Sequence, residues 1–159
     1  MAEENKHEKA LTVFRGLCAF LDGEDWKYDK DTEELIIRLG AEGKNLLMDM
    51  VIRVDEDRQV FQTLSELSFE VPEDVRMDMA VAVSVVNRRL VDGSFNYNIP
   101  TGRITFRMAC CYIDSDLGKD LYKYLILCSF RTIDEYNDKF LRLVDGQVEI
   151  QDFISEEMK

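Results

Sequence analysis

The chain has 159 residues, 46% apolar and 33% charged, a balance that suits one globular domain able to bury its own core without metal or disulfide staples. Thirty-two acidic residues against 20 basic ones give a net charge of −12, which disfavours nucleic acid: a phosphate backbone is held by clustered Lys and Arg, and the longest basic cluster here is Arg88-Arg89. The same excess disfavours an anionic membrane surface and favours solubility.

The first element runs from about Lys6 to Leu21, where Leu11, Phe14, Leu17, Cys18 and Leu21 recur at helical spacing and Asp22-Gly23 supplies the stop. Gly16 inside it marks a close packing contact. Trp26 and Tyr28 then alternate with charged residues ahead of a turn at Asp29 to Thr32. Leu35 to Leu39 is a short strand and Gly40 to Gly43 a second turn. From Leu46 to Val54 the alternation is clean, with Leu46, Met48, Met50, Ile52 and Val54 on one face. Asp55 to Arg58 makes a third turn, and Arg58 to Leu67 is a further strand. Turns this short require antiparallel pairing.

Glu70 to Leu90 reads as the central helix, its start marked by Pro72. At 100° per residue, Val75, Met79, Ala82, Val83, Val86 and Leu90 form one apolar face. Met77, Val81 and Val85, spaced i, i+4, i+8, form a second stripe on roughly the opposite side. A lone domain needs one such face. The second requires a cover, either another subunit or the last helix, and these three residues are the candidate protein-contact surface.

After Asp92-Gly93 comes a hairpin through Pro100-Thr-Gly102, with Phe95, Tyr97 and Ile99 on one arm and Ile104, Phe106, Met108, Cys110 and Tyr112 on the other. Ala109, Cys111 and Ile113, like Leu47 and Val51, place apolar residues on the other sheet face, so part of that face is expected to be covered as well. A long helix follows to about Val144, started by Asp114-Ser-Asp116 and bent or broken near Arg131 to Asp134. Residues 147–159 form a short amphipathic tail, and 1–5 and 147–159 are the expected flexible ends of a single domain spanning 1–159.

Chemistry is sparse. His7 is the one histidine and lies in a charged N-terminal segment, which removes Ser-His-Asp, Cys-His and His-based zinc arrangements. The four cysteines show no C-x-x-C or ligand spacing, and read as small buried hydrophobes of a reducing cytosol. Asp29-x-Asp31 and Asp114-x-Asp116 lack the Gly and Glu of a calcium loop, and no phosphate-binding glycine motif occurs. No signal-peptide pattern and no membrane span is present, so the expected location is cytoplasmic. No cofactor and no catalytic set is expected. Arg38, Arg53, Arg103 and Arg107 share one sheet face by alternation and are the candidates for contact with an anionic group; the alternative is cross-strand pairing with acids.

From Val86-Asn-Arg-Arg-Leu-Val-Asp-Gly-Ser-Phe to Gly102-Arg-Ile-Thr-Phe-Arg107 the sequence resembles the YbjN family of proposed bacterial sensory-transduction regulators. Asn87, Leu90, Gly93, Phe95, Gly102, Ile104, Phe106 and Arg107 carry the likeness; Asn96-Tyr-Asn98 and Cys110-Cys111 depart from it. The resemblance implies the type III secretion chaperone fold: an α+β domain with five to six antiparallel strands and helices packed on them, in the order α-β-β-β(-β)-α-β-β-α. It also implies a non-enzymatic binding or regulatory module, with a homodimer holding an extended client peptide as one alternative and a small-ligand binder or enzyme using the four arginines as another.

Overall fold

The computed structural model describes the backbone of residues 2–159 and the side chains from Asn5 onward. Helix α1, Ala2–Gly23, buries Ala10, Val13, Phe14, Leu17 and Leu21, an i, i+3, i+4 stripe that fixes which side meets the core. Gly16 lies on that side because a Cβ there would stand 2.9 Å from the Tyr122 hydroxyl, which donates to the Val13 carbonyl at 3.0 Å. After Gly23 the chain reverses and the Trp26 amide donates to the Leu21 carbonyl at 2.9 Å.

Four strands follow: β1 (Tyr28–Asp31), β2 (Ile36–Glu42), β3 (Leu47–Asp55) and β4 (Val60–Glu66). The Asp31 carboxylate accepts the Glu33 and Glu34 amides, each at 3.0 Å, and that of Asp55 accepts the Arg58 amide at 2.9 Å, so both β-turns are held by an aspartate folding onto its own backbone. The strand β2 runs on through Gly40 to Glu42, past the expected turn. Gly40 faces Asp49 across the ladder, and the reversal comes at Gly43, whose amide donates to the Leu46 carbonyl.

Pro72 leads into a single 3-10 turn, Glu73–Val75, and then α2, Arg76–Arg89, which is shorter than the sequence suggests. The chain returns through Gly93, at φ +74°, into β5 (Ser94–Asn98) and β6 (Arg103–Cys111). All pairings are antiparallel and the strand order is β1-β2-β3-β4-β6-β5. Strand β6 therefore inserts beside β4, with α2 carrying the chain across to the edge position of β5. Gly102, at φ +75°, sits against the backbone of Val71, whose amide donates to the Gly102 carbonyl at 2.9 Å. A side chain at 102 would drive into that backbone, which explains a glycine at the tip of this hairpin.

Helix α3, Lys119–Val144, is continuous; the expected break near Arg131–Asp134 is absent because Phe130, Ile133, Tyr136, Asn137 and Phe140 keep one buried face through that stretch. Its N-cap is Gly118, with no side-chain cap, so Asp114-Ser-Asp116 forms the preceding loop instead. The expected loose tail contains helix α4, Ile150–Glu157, with Phe153 and Glu157 buried. Phe153 stacks on Phe140, their rings 6.2 Å apart, and Phe140 meets Phe95 edge-on. The expected loose start at residues 1–5 lies mostly outside the described side chains.

The structure is thus an α+β fold with one open six-stranded antiparallel sheet and four helices, in the order α-β-β-β-β-α-β-β-α-α. One sheet face carries the core: Ile37, Leu39, Met50, Ile52, Phe61, Ile104 and Phe106 are buried against the helices. Two polar residues on this face, Thr63 and Ser65, are accommodated by partners, Thr63 with Ser129 at 2.9 Å and Ser65 with the Asp49 carbonyl.

Candidate protein-contact surface

Helix α2 turns Met79, Ala82, Val83 and Val86 to the core, as its periodicity requires. Met77 is 69% exposed and Val81 44%, while Val85 is half-buried. Helix α4 packs on α2, and its Glu157 carboxylate reaches Arg89 at 2.9 Å and Lys139 at 2.7 Å. That contact lies on the flank of Arg89 and leaves Met77 and Val81 open. Of the two covers that the sequence allows for the second stripe, the last helix is not one for its first two members: neither α3 nor the added α4 covers Met77 or Val81.

The arginines divide. Arg38, Arg53 and Arg107 all project from the sheet face opposite the helices and are exposed, as the alternation of the strands requires. The register places Arg38 opposite Val51, Val51 opposite Leu64 and Leu64 opposite Arg107, so Arg38 and Arg107 are three strand spacings, about 14 Å, apart. Arg103 stands at the end of the sheet, bound to Glu70 at 3.2 Å and Glu66 at 3.3 Å. The groove beside it, about 920 Å³ and lined by Asn96, Asn98 and Thr105 among others, contains none of the other three arginines; a second groove is lined by Arg38 together with Asp29 and Asp49 and by neither Arg53 nor Arg107. One arginine is thus paired with two carboxylates, while Arg38 and Arg53 stand diagonally across β2 and β3 and Arg107 lies three strands from Arg38.

The cover expected over the outer sheet face is not there among the described residues. Leu47 is 69% and Ile113 51% exposed, and Ala109 and Cys111 are exposed too. Val51, Val60 and Leu64 are half-buried by their neighbours on the sheet alone and do not join the core. The alternation in β4 therefore runs with Phe61, Thr63 and Ser65 inward and Leu64 outward. A hydroxyl pair on the core face and a leucine on the open face hide this phase from a hydropathy reading.

Among the described residues no group of three or more His, Cys, Asp or Glu is placed to hold a metal, and no helix is long and apolar enough to cross a membrane. His7 lies on α1, its Nδ1 2.8 Å from the Glu56 carboxylate, tying the helix to the β3–β4 turn. Burial raises the thiol pKa of Cys18 and Cys110, the opposite of what a nucleophilic cysteine needs. The Asp92 carboxylate accepts the Tyr124 hydroxyl and pushes that phenol up to about 12, which fastens the loop after α2 to α3. One surface feature is not legible in the sequence: Val91, 96% exposed after α2, belongs to no periodic pattern that would single it out.

This arrangement of sheet and helices is the fold of YbjN and of the type III secretion chaperones. The structure of YbjN from E. coli, described as a candidate transcription regulator, matches with a TM-score of 0.59 at 11% identity over 79% of this chain and 92% of that one. A structure of the HopA1–SchA chaperone–effector complex matches with a TM-score of 0.58 at 11% identity, over 81% and 95% of the two chains. The ExsC–ExsE complex gives 0.60 at 14% identity, over 79% and 91%. No protein-family model and no curated protein matches the sequence. At these identities the likeness is one of fold, and the expected architecture is borne out at that level.

Proposed function

We propose that the chain is a non-enzymatic protein-binding module of the cytoplasm, acting as one α+β unit and as a homodimer, with a protein or peptide client. The observation that carries this reading is the exposed apolar stripe of α2, where Met77 and Val81 stand open on a helix whose other face is already in the core. The chaperone–effector complex among the structures of the same fold supports a polypeptide client, and YbjN supports the second reading, a regulator that docks on one partner.

The small-ligand reading has less support, because Arg103 is paired with Glu66 and Glu70 and Arg107 lies three strands from Arg38 on an open face. Affinity capture from the native cytosol, read by mass spectrometry, tests the leading reading. A reproducible polypeptide partner is expected, and repeated empty captures count against it.

A further inference from the structure

We infer that the seam between α2 and α3 is a docking site for an acidic amphipathic helix of a partner protein, and that α4 is its resident, displaceable occupant. The inference rests on the protein-binding reading above and names the kind of segment that would seat there.

Helix α4 shows how such a segment sits. It turns Ile150, Phe153, Ile154 and Glu157 inward, at steps of three, one and three, while Gln151, Asp152, Ser155 and Glu156 stay exposed. Phe153 stacks on Phe140, and the carboxylates that follow meet cations of the seam: Glu157 meets Arg89 and Lys139, and Glu156 meets Arg142 at 3.5 Å. An aromatic anchor followed by polar partners is the pattern of a helix laid in a groove.

The hold on α4 is light. At eight residues it is shorter than the roughly 12–15 at which a helix becomes even marginal by itself, so it is helical only while docked. Glu149 before it supplies no side-chain cap. The link to α3 passes through Gly146, at φ +68°, with no atom within 4 Å of where a side chain would start. Short, solvent-fastened elements of this kind open without disturbing the sheet.

The seam is also longer than its occupant. Helix α4 spans about 12 Å, whereas α3 runs for about 39 Å. From Lys139 toward the start of α3, Glu135, Arg131, Cys128 and Tyr124 follow at steps of four, four, three and four, so the stripe beneath α4 continues past its C-terminal end. There a groove of about 440 Å³ lies open over Tyr124, Leu127 and Cys128, rimmed by Lys123 and Arg131, with Asp120 and Glu135 also lining it. Val91 stands exposed on the loop that Asp92 fastens to Tyr124.

Among the described residues Lys123 and Arg131 have no ion-pair partner. Lifting α4 away adds Arg89, Lys139 and Arg142 to them, a cationic seam on a chain whose net charge is −12. An acidic helix of about four turns complements both its charge and its length.

The test uses the full chain and, as probe, a fluorescein-labelled peptide of residues 146–159 read by anisotropy. In the parent, the tethered α4 competes at an effective concentration on the order of millimolar, so the peptide binds weakly. Phe153→Ala combined with Glu157→Ala releases α4, and this variant is expected to bind the peptide about ten-fold more tightly, with hydrogen-exchange protection on α2 and α3. The peptide carrying Glu157→Lys is expected to lose about ten-fold on the same variant. A peptide lengthened past Met158 by about two turns of Ala, Leu and Glu gains affinity, and Leu127→Glu in the protein removes that gain. Should the double variant prove unfolded by circular dichroism, Glu157→Ala alone carries the comparison, with a gain of about three-fold.

Equal binding to parent and released variant overturns the inference, as does binding indifferent to Glu157→Lys or protection that falls elsewhere. A parent oligomer that Phe153→Ala abolishes would mean that α4 is exchanged between copies, which also overturns it. A peptide that binds neither protein, while the parent still captures a polypeptide from cells, ends the inference and leaves the protein-binding reading standing.

Discussion

Asn87, near the end of α2, forms both backbone hydrogen bonds of Phe95: its Nδ2 donates to the Phe95 carbonyl at 2.9 Å and its Oδ1 accepts the Phe95 amide at 2.8 Å. Phe95 stands opposite Phe106 in the ladder, so these bonds lie on the outer edge of β5, where a carboxamide takes the place of a missing strand. They also fix α2 to the sheet. Asn87→Ala leaves two backbone groups without partners and is expected to cost about 1–3 kcal/mol in urea unfolding. A loss below about 0.5 kcal/mol, the range of a neutral surface substitution, would show that water replaces the side chain freely.

Gly16 and Tyr122 are coupled by contact. Alanine inside a helix is favoured over glycine by about 1 kcal/mol, but at position 16 its methyl meets the Tyr122 hydroxyl at 2.9 Å. Gly16→Ala alone is therefore expected to destabilise by about 1–2 kcal/mol. With Tyr122→Phe already in place the nearest ring carbon is 3.4 Å away, and the same substitution is expected to be neutral or stabilising. A double-mutant cycle on thermal unfolding reads the coupling, and additive effects would contradict it.

The Asp55 carboxyl is held below its ordinary value, first by the Arg58 backbone amide and then by the Arg58 guanidinium. A carboxyl depressed in the folded state stabilises above its unfolded value, near 4, and that contribution is lost as pH falls through the folded value. Asp55→Asn should therefore be less stable than the parent at pH 7, with the gap closing toward about pH 2. A gap that stays constant over that range would mean the loss is one of geometry and not of charge.

Glu157 is 4% exposed and bridges Arg89 and Lys139, joining α4 to α2 and α3 at one point. Lys139 also lies over the Tyr136 ring, 4.6 Å from its centroid. Both cations keep partial access to water, so Glu157→Ala leaves neither stranded and is expected to cost about 1–2 kcal/mol, short of the loss from breaking a fully buried pair. Hydrogen exchange should rise in α4 and stay unchanged in β3 and β4. Uniform change across the sheet would mean that α4 is part of one cooperative unit with it.

What the sequence revealed depended on whether one physical pattern governed the residues. The alternation of Met48, Met50, Ile52 and Val54 shows in the chain because all four are apolar and all four are buried. In β4 the phase is hidden, since the inward positions Thr63 and Ser65 are polar and find their partners, Ser129 and the Asp49 carbonyl, far away in sequence. The candidate stripe of α2 was legible because helical spacing separates it from the core face. The openness of Met77 and Val81 was not, because it depends on where α4 docks. The pairing of Arg103 with Glu70 crosses 33 residues and no local rule announces it. Asn87 is one of the residues that carry the family resemblance, while its role at the edge of β5 depends on the fold.

Native mass spectrometry of the protein isolated from its own cells tests the central claim most directly. The account predicts a principal species of twice the chain mass carrying an additional polypeptide. A single chain with nothing bound, across gentle isolation conditions and repeated preparations, would contradict it.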